Sequence, residues 1–274
     1  MKRETEILIL GAGASGLMLT ALLDRDDYLI VDNNPKVGSK ILVSGGGKCN
    51  ITNGNLKAKN YVAEQRFVRN VLKRFDNYDL LEWLQRRGLK PIVRKNHQYF
   101  CENSAKELVN LLKKEINPKN ILLNCKVKEV KKIERGFEVV TSRGAIFAKK
   151  VVLATGGLSF PKLGATSIGY EVAKSFGHKV STLSAGLVGF TVQPEEFFFK
   201  SLSGISTEVK IRVGEKEING SLLFTHKGVS GPAVLNASLY WQKGKIAIDF
   251  IPSVNLEAVK SSKKNISRVL GLPQ

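Results

Sequence analysis

The segment that most constrains the fold is Gly-Ala-Gly-Ala-Ser-Gly at residues 11–16, which directly follows the apolar run Ile7–Leu10. A Gly-x-Gly-x-x-Gly turn between a strand and a helix is typical of a dinucleotide-binding β-α-β unit. Gly11 permits a tight turn, Gly13 lets a diphosphate approach the backbone, and Gly16 lets the helix pack closely against the sheet. An ordinary β-turn-α unit with chance glycines is the alternative interpretation.

A second apolar run, Tyr28–Val31, ends at Asp32, which lies 21 residues after Gly11. A carboxylate at this place accepts hydrogen bonds from the hydroxyls of an adenosine ribose and repels a 2′-phosphate. The free N–H groups of the helix that begins near Ala14 face the phosphates. The residues predicted to bind the ADP part of a dinucleotide are Gly11, Gly13, Ala14, Ser15, Gly16, Asp32 and Asn33.

The composition is that of one large or two modest globular domains. The chain has 274 residues, of which 43% are hydrophobic, and it contains three cysteines and three histidines. No run reaches the ~20 apolar residues that a membrane span requires. The N-terminus, Met1–Arg3, is followed by acidic residues rather than by the apolar core of a signal peptide. We expect a reduced cytoplasmic protein without a disulfide framework, a metal site or a membrane association.

The net charge is unusual and unevenly distributed. The chain carries 43 Lys and Arg against 24 Asp and Glu, a formal net charge of +19. Residues 61–150 hold 21 of the basic and 10 of the acidic residues, whereas residues 1–60 hold 8 and 6. A basic surface of this kind favours a polyanionic partner, with nucleic acid the first candidate. A solvated surface without a partner is the alternative.

A second glycine-rich loop reads Ser-Gly-Gly-Gly-Lys-Cys-Asn at residues 44–50. Consecutive glycines expose backbone N–H groups and let the chain lie against a planar or anionic ligand. Lys40 and Lys48 add positive charge. A flexible surface loop is the alternative. The residues of this region predicted to contact a cofactor are Lys40, Ser44, Gly45, Gly46, Gly47, Cys49 and Asn50.

A third glycine turn, Thr155-Gly156-Gly157, follows the apolar run 151–154. Open α/β sheets bind ligands at the carboxyl ends of their strands, which is where this turn is expected. Val127 lies at the end of a predicted strand over 121–127, and its backbone is placed to bond an adenine edge. The predicted cofactor site is therefore completed by Val127, Thr155, Gly156 and Gly157.

The order of predicted elements indicates an α/β fold followed by a β-rich section. Helices are predicted near 64–75 and 77–87, the first with Phe67, Val71, Leu72 and Phe75 turned to the core. A β-meander is predicted over 130–148. From Leu187 onward, strands with alternating polarity appear. We predict a Rossmann-like domain over 1–185 and a β-rich domain over 186–252.

Four motifs together resemble the BaiN/YhiN-like flavoprotein family, which comprises FAD-dependent oxidoreductases of the two-dinucleotide-binding type. They are the glycine turn at 11–16, Ser-Gly-Gly-Gly-Lys-Cys-Asn at 44–50, Ala-Thr-Gly-Gly-Leu-Ser-Phe-Pro-Lys at 154–162 and Leu-Phe-Thr-His-Lys-Gly-Val-Ser-Gly-Pro-Ala at 223–233. The resemblance implies that 1–185 binds FAD, with Val127 at the adenine and the loop 40–50 near the flavin. It also implies that Leu187–Pro252 is an inserted β-domain on the substrate side.

The chain departs from the family pattern at three places. Asp32 stands where the family usually has an acid one carbon longer. His97–Cys101 stands where the family usually has a Gly-Arg-x-Phe-Pro stretch. Family members also continue for about another hundred residues of a helical section and a returning FAD-domain segment. Residues 253–274 are therefore expected to begin a truncated helical segment, and a separate chain is a candidate to supply the remainder.

Two side chains are candidates for proton transfer. Cys49 lies among exposed N–H groups and beside Lys48, which would tune its thiol; a small residue filling space under the loop is the alternative. His226, in the Thr-His-Lys-Gly stretch at 225–228, is a candidate acid or substrate ligand. A histidine that only fixes a turn is the alternative there.

Three functions remain open from the sequence. The first is an FAD oxidoreductase that reduces an activated C=C bond, with uridine in ribosomal RNA reduced to dihydrouridine and the basic region 61–150 binding the RNA. The second is a flavoprotein reductase or oxidase of a small molecule. The third is a truncated, non-catalytic chain that binds nucleotide or is completed by a partner. NADH or NADPH is the candidate transient electron donor for the first two.

Overall fold

The computed structural model describes residues 3–193 and 199–252. The chain divides into two compact units, Met1–Val180 and Ser181–Gln274, and each is described by itself. The section 253–274, expected to begin a further helical segment, lies outside the described residues.

Strands and short helices alternate along the first unit. Its strands are β1 (Arg3–Leu10), β2 (Tyr28–Val31), β3 (Asn50–Asn53), β4 (Ile92–Val93), β5 (Gln98–Phe100), β6 (Ile121–Leu122), β7 (Val127–Ile133), β8 (Gly136–Thr141) and β9 (Gly144–Leu153). Its α-helices are α1 (Ala14–Leu22), α2 (Ser39–Val43), α3 (Gln65–Leu72), α4 (Asn77–Arg86), α5 (Lys106–Lys114) and α6 (Ile168–Ser175).

A six-stranded sheet with the order β6-β2-β1-β9-β8-β7 forms the centre of the first unit. Strands β6, β2, β1 and β9 run parallel, whereas β7, β8 and β9 are antiparallel neighbours. Strands β3, β4 and β5 form a separate antiparallel sheet. The predicted Rossmann-like α/β fold with a β-meander is thus confirmed.

Strand β9 belongs to both halves of this sheet. The sequence predicted a meander strand at 145–148 and a separate strand at 151–154, on either side of Lys149 and Lys150. The strand instead continues through both lysines, and the Lys149 Nζ forms an ion pair of 2.8 Å with Glu6 on neighbouring β1. The predicted strand 121–127 shows the opposite outcome, because it divides into β6 and the start of β7.

Alternate side chains of β1 enter two different cores. Ile7 and Ile9 pack in a core that includes Leu17 of α1. Leu8 and Leu10 pack in a second core on the other face of the sheet. All four residues of β2 are buried, which fits a parallel strand covered on both faces. The two cores thus support, from both faces, the edge of the sheet at which β1 and β9 end.

Helix α3 packs on a different face from the one predicted. Phe67 and Val71 are 65% and 49% exposed, and Phe75 beyond the helix is 37% exposed. Val68 is buried instead, and Leu72 is partly buried. The prediction was wrong for Phe67, Val71 and Phe75, because the apolar arc of this helix is wider than the surface on which it packs.

The second unit is an antiparallel β-structure with one described α-helix. Its strands are β10 (Phe190–Thr191), β11 (Ser206–Val213), β12 (Lys216–Thr225), β13 (Gly228–Ser230) and β14 (Ala247–Asp249), and its helix is α7 (Pro232–Ala237). The sheet order is β10-β13-β12-β11-β14. Its core includes Val209, Ile211, Leu222 and Val234. This agrees with the β-rich section predicted from the alternating pattern.

Candidate functional site

In the glycine turn between β1 and α1, each glycine has different surroundings. Gly11 has a φ of +117°, and a Cβ there would lie 2.4 Å from the Ala154 carbonyl oxygen on the loop after β9. A Cβ on Gly16 would lie 1.9 Å from the Gly11 carbonyl oxygen. A Cβ on Gly13 would meet nothing within 4 Å. Gly11 and Gly16 therefore permit close packing, while Gly13 faces open space.

Gly13 is also the N-cap of α1, and no side chain caps this helix end. Neither is there an acidic residue in the first turn. The first N–H groups of a helix lack intrahelical partners and carry partial positive charge. This end of α1 is therefore suited to an anionic group such as a diphosphate.

Asp32 holds the glycine turn in place. Its Oδ2 accepts a hydrogen bond of 2.7 Å from the Ala12 N–H, and its Oδ1 accepts one of 2.8 Å from the Asn34 N–H. Each carboxylate oxygen has capacity for a second hydrogen bond. Asp32 can therefore bind ribose hydroxyls while it supports the turn, a structural task that the sequence did not reveal.

The loop Ser44–Gly47 is shaped by three successive left-handed glycines. Gly45, Gly46 and Gly47 have φ values of 55°, 66° and 83°. A Cβ on Gly45 would lie 2.6 Å from the Asn50 nitrogen, so the loop folds tightly back on β3. The Cys49 N–H closes it with a hydrogen bond of 2.9 Å to the Ser44 carbonyl oxygen.

These segments surround one cleft of about 640 Å³ in the first unit. This volume lies within the range of small-molecule and cofactor sites. The predicted cofactor residues that line it are Gly11, Gly13, Ala14, Ser15, Asp32, Asn33, Lys40, Ser44, Cys49, Asn50, Val127, Thr155, Gly156 and Gly157. Gly16 and the three loop glycines are not among the lining residues. Gly16 instead packs α1 against the turn, and Gly45 packs the loop against β3.

An apolar part of the cleft wall was missed by the sequence analysis. It is contributed by Met18, Ile41, Ile51, Phe75, Leu80, Leu84, Leu108 and Leu112. Most of these side chains come from helices whose periodic apolar residues are typical of ordinary core. Phe75, predicted to be core, is a lining residue, because it sits at the end of the α3 segment whose apolar side is uncovered.

Lys40 links two walls of the cleft. Its Nζ donates a hydrogen bond of 2.8 Å to the Gly157 carbonyl oxygen and lies 3.4 Å from the Ser159 Oγ. This contact ties α2 to the loop that follows β9. On the far side of that loop, α6 packs so closely that a Cβ on Gly169 would lie 2.2 Å from the Thr155 Oγ1. Thr155 and Gly157 are thus held from two sides.

Cys49 borders the cleft in a left-handed conformation, with a φ of 50° and only 5% of its surface exposed. Hydrogen bonding from the buried Cys101 thiol is the main cause that lowers the pKa of Cys49 to about 6, although burial opposes the shift. The pKa of Cys101 is raised, because its thiol donates to Cys49 and is itself buried. Cys49 therefore carries thiolate character at neutral pH.

His226 lies in the second unit, in the tight turn between β12 and β13, and is exposed. The Thr225 Oγ1 donates a hydrogen bond of 3.0 Å to the Gly228 carbonyl oxygen and so closes this turn. The role of His226 in catalysis remains a prediction.

The described residues also bear on metals and membranes. Over 3–193 and 199–252, no group of three or more His, Cys, Asp or Glu side chains is placed to hold a metal ion. Within the same ranges, no helix has the length and apolar character to cross a membrane.

The cleft fits a dinucleotide with a planar ring system. An uncapped helix N-terminus, an open position at Gly13 and a carboxylate at Asp32 suit the diphosphate and the ribose. The apolar wall and Cys49 lie in the same cleft. FAD has this division into a polar ADP part and a planar flavin, and the residues present fit it.

Comparison with known proteins also indicates a flavoprotein. A family model described as "HI0933-like protein Rossmann domain" matches residues 5–236. Two relatives named "Ribosomal RNA dihydrouridine synthase" are each 37% identical to this chain. The Haemophilus influenzae relative matches over 98% of this chain and 71% of its own length, and the Escherichia coli relative over 95% and 67%. A Clostridium scindens relative named "3-dehydro-bile acid delta(4,6)-reductase" is 31% identical, over 93% of this chain and 66% of its own length. The chain therefore belongs to the HI0933-like family, the BaiN/YhiN-like flavoproteins, and is an FAD-dependent oxidoreductase.

Proposed function

We propose that this protein reduces the activated C=C bond of uridine in ribosomal RNA and thereby forms dihydrouridine. The observation that carries the proposal is the 37% identity, over 98% and 95% of the chain, to two relatives named for this reaction. The cleft supports the flavin part of the proposal, because its polar nucleotide end and its apolar wall suit the two parts of FAD. The RNA base would have to leave its stack to reach this cleft.

The residues of the cleft bind and orient the cofactor. The N-terminus of α1 neutralises the diphosphate, and Asp32 accepts hydrogen bonds from the ribose. Lys40 keeps the loop at Gly157 in position through its hydrogen bond to that carbonyl oxygen. When bound, FAD supplies the hydride for one carbon of the double bond.

The second carbon of the double bond requires a proton, and Cys49 Sγ is the candidate to deliver it. Its pKa of about 6 lies close to neutral pH, where a proton-transfer group works best. The neighbouring Cys101 thiol keeps its proton at neutral pH, because its pKa is raised. It can therefore act as the proton reserve of the pair. Both thiols are buried, so competing water is limited at this point.

The exposed basic side chains of α3 and its C-terminal end support an RNA substrate. Arg66, Arg69, Lys73 and Arg74 are all exposed. Within the described part of the chain, none of these four comes within 4.0 Å of a carboxylate oxygen. Unpaired surface cations are available for phosphate groups, and each phosphate contact makes affinity fall with salt concentration. The same segment leads to Phe75 at the cleft.

The test is reduction of unmodified ribosomal RNA by the purified, FAD-loaded protein under anaerobic conditions. The flavin is reduced chemically in one arm and by NADH or NADPH in others, which identifies the transient donor by loss of the visible flavin absorbance. Nucleosides are then analysed by mass spectrometry for a uridine derivative heavier by two hydrogens. If chemically reduced protein leaves every uridine unchanged, the RNA substrate is wrong.

A small-molecule substrate is the second candidate, because the Clostridium scindens relative is named as a bile acid reductase. The dependence of substrate binding on salt concentration distinguishes the two functions. Recognition through four phosphate contacts predicts that the logarithm of affinity falls with a slope of roughly −3 against the logarithm of salt concentration. A small neutral enone is expected to show a KM that is nearly independent of salt.

A further inference from the structure

We propose that Cys49 and Cys101 form a redox couple, which closes to an intramolecular disulfide at the wall of the cofactor cleft when the protein meets a peroxide. The two residues are 52 positions apart in the chain and come from different elements. This site is independent of the RNA substrate, because it needs only the thiols of the first unit.

The backbone places the two cysteines at the adjoining ends of two paired strands, one inter-strand distance apart. Cys101 directly follows β5, and its N–H donates a hydrogen bond of 3.0 Å to the carbonyl oxygen of Lys48. On the other side of Cys49, Asn50 of β3 faces Phe100 of β5. Neighbouring strands are about 4.8 Å apart. This spacing falls within the Cα separation of about 4.4–6.8 Å that disulfides require.

The two thiols differ in reactivity. Interaction with Cys101 lowers the pKa of Cys49, and interaction with Cys49 raises the pKa of Cys101. Cys101 is fully buried, whereas Cys49 is a lining residue of the cleft. A peroxide can therefore reach Cys49 first, and Cys101 stands behind it as the resolving thiol. The third cysteine, Cys125, also lines the cleft but packs in the other core of the first unit, apart from Cys49 and Cys101. It therefore serves as an internal control for access to the cleft without a partner thiol.

The proposed chemistry has two balanced steps. The Cys49 thiolate attacks one peroxide oxygen and, with a proton, gives a sulfenic acid and one molecule of water or alcohol. The Cys101 sulfur then attacks the Cys49 sulfur, a second water leaves, and the S–S bond forms. Two electrons pass from the two sulfurs to the peroxide. The disulfide removes the ionisable group at Cys49 from the cleft, so peroxide would also stop proton delivery there.

The experiment uses the purified full chain, fully reduced and then exposed to one equivalent of hydrogen peroxide. Trypsin cleaves after Lys48, Lys57, Lys95 and Lys106, which places Cys49 and Cys101 in peptides 49–57 and 96–106. We expect these two peptides to be joined, with a loss of two hydrogens, while Cys125 stays reduced. Joined peptides between different molecules, or further oxidation of an unjoined Cys49, would overturn the proposal.

Two variants and a control complete the test. C101S should leave Cys49 as a sulfenic acid that dimedone traps, and C49S should leave Cys101 unreacted with one equivalent of peroxide. C125S should form the joined peptides at the wild-type rate. If C101S and wild type give the same Cys49 product, Cys101 is not the resolving thiol. The wild-type peptide result stands even if a variant is poorly folded.

Discussion

Replacing Gly13 by alanine should separate cofactor binding from folding. Gly13 has extended backbone angles, φ −87° and ψ −165°, which alanine tolerates, and its added Cβ meets nothing within 4 Å. Loss of a glycine from the unfolded chain stabilises a protein by about 0.4–1 kcal/mol when the folded conformation is compatible. Glycine is also preferred over alanine at a helix N-cap, which offsets this gain. We therefore expect the FAD-free G13A variant to unfold at close to the wild-type urea concentration.

Binding of FAD should respond in the opposite direction. Gly13 lines the cleft at the open end of α1, so the added methyl occupies space that the diphosphate would use. Overpacking costs about 1–3 kcal/mol. This corresponds to an increase in Kd of about 5- to 150-fold. The assay is a titration of flavin fluorescence, with urea unfolding of the same samples. Wild-type affinity in a stable G13A protein would refute the placement of the diphosphate at this turn.

Three further predictions test the other parts of the site. Gly16→Ala brings a Cβ to 1.9 Å from the Gly11 carbonyl oxygen and should lower the free energy of unfolding by about 1–3 kcal/mol, measured with urea; an unchanged midpoint would contradict the close packing. Asp32→Ala removes the acceptor of two backbone N–H groups, worth about 1.5–3 kcal/mol each. It should therefore weaken both stability and FAD binding, whereas loss of binding alone would show that the support of the turn is unimportant. Cys49 should react with iodoacetamide at half its maximal rate near pH 6 and more slowly at lower pH. The reason is that only the thiolate reacts and the pKa of Cys49 is about 6. A midpoint of the pH–rate profile near the pKa of a free thiol would show that the hydrogen bond from Cys101 has little effect.

The sequence was sufficient where local rules decide the structure. The strand-turn-helix around Gly11, the short strand before Asp32 and the turns of the β-meander each depend on a few neighbouring residues. The pattern also predicted most of the residues that line the cleft, because the carboxyl ends of parallel strands meet at one edge. These are the parts in which spacing along the chain fixes position in space.

The sequence was insufficient where distant segments meet. Nothing in the local pattern showed that Phe67 would remain exposed while Val68 is buried, since this depends on the surface against which α3 packs. The hydrogen bond of Lys40 to Gly157 joins residues 117 positions apart. The pairing of Cys49 with Cys101 likewise depends on the register of β3 and β5. Single-sequence reasoning has no means of fixing such contacts.

Strand β9 has a consequence for how the first unit comes apart. One continuous strand carries the ladder of the β-meander on residues 144–148 and the ladder to β1 on residues 146–153, so that the two ladders share residues 146–148, and the strand ends at the cleft. Opening either ladder exposes a shared backbone, so both should exchange their amide hydrogens as a single cooperative block. Local unfolding of the β-meander should therefore also loosen the nucleotide site. In turn, a bound nucleotide should slow amide hydrogen exchange as far away as the hairpin at Gly144.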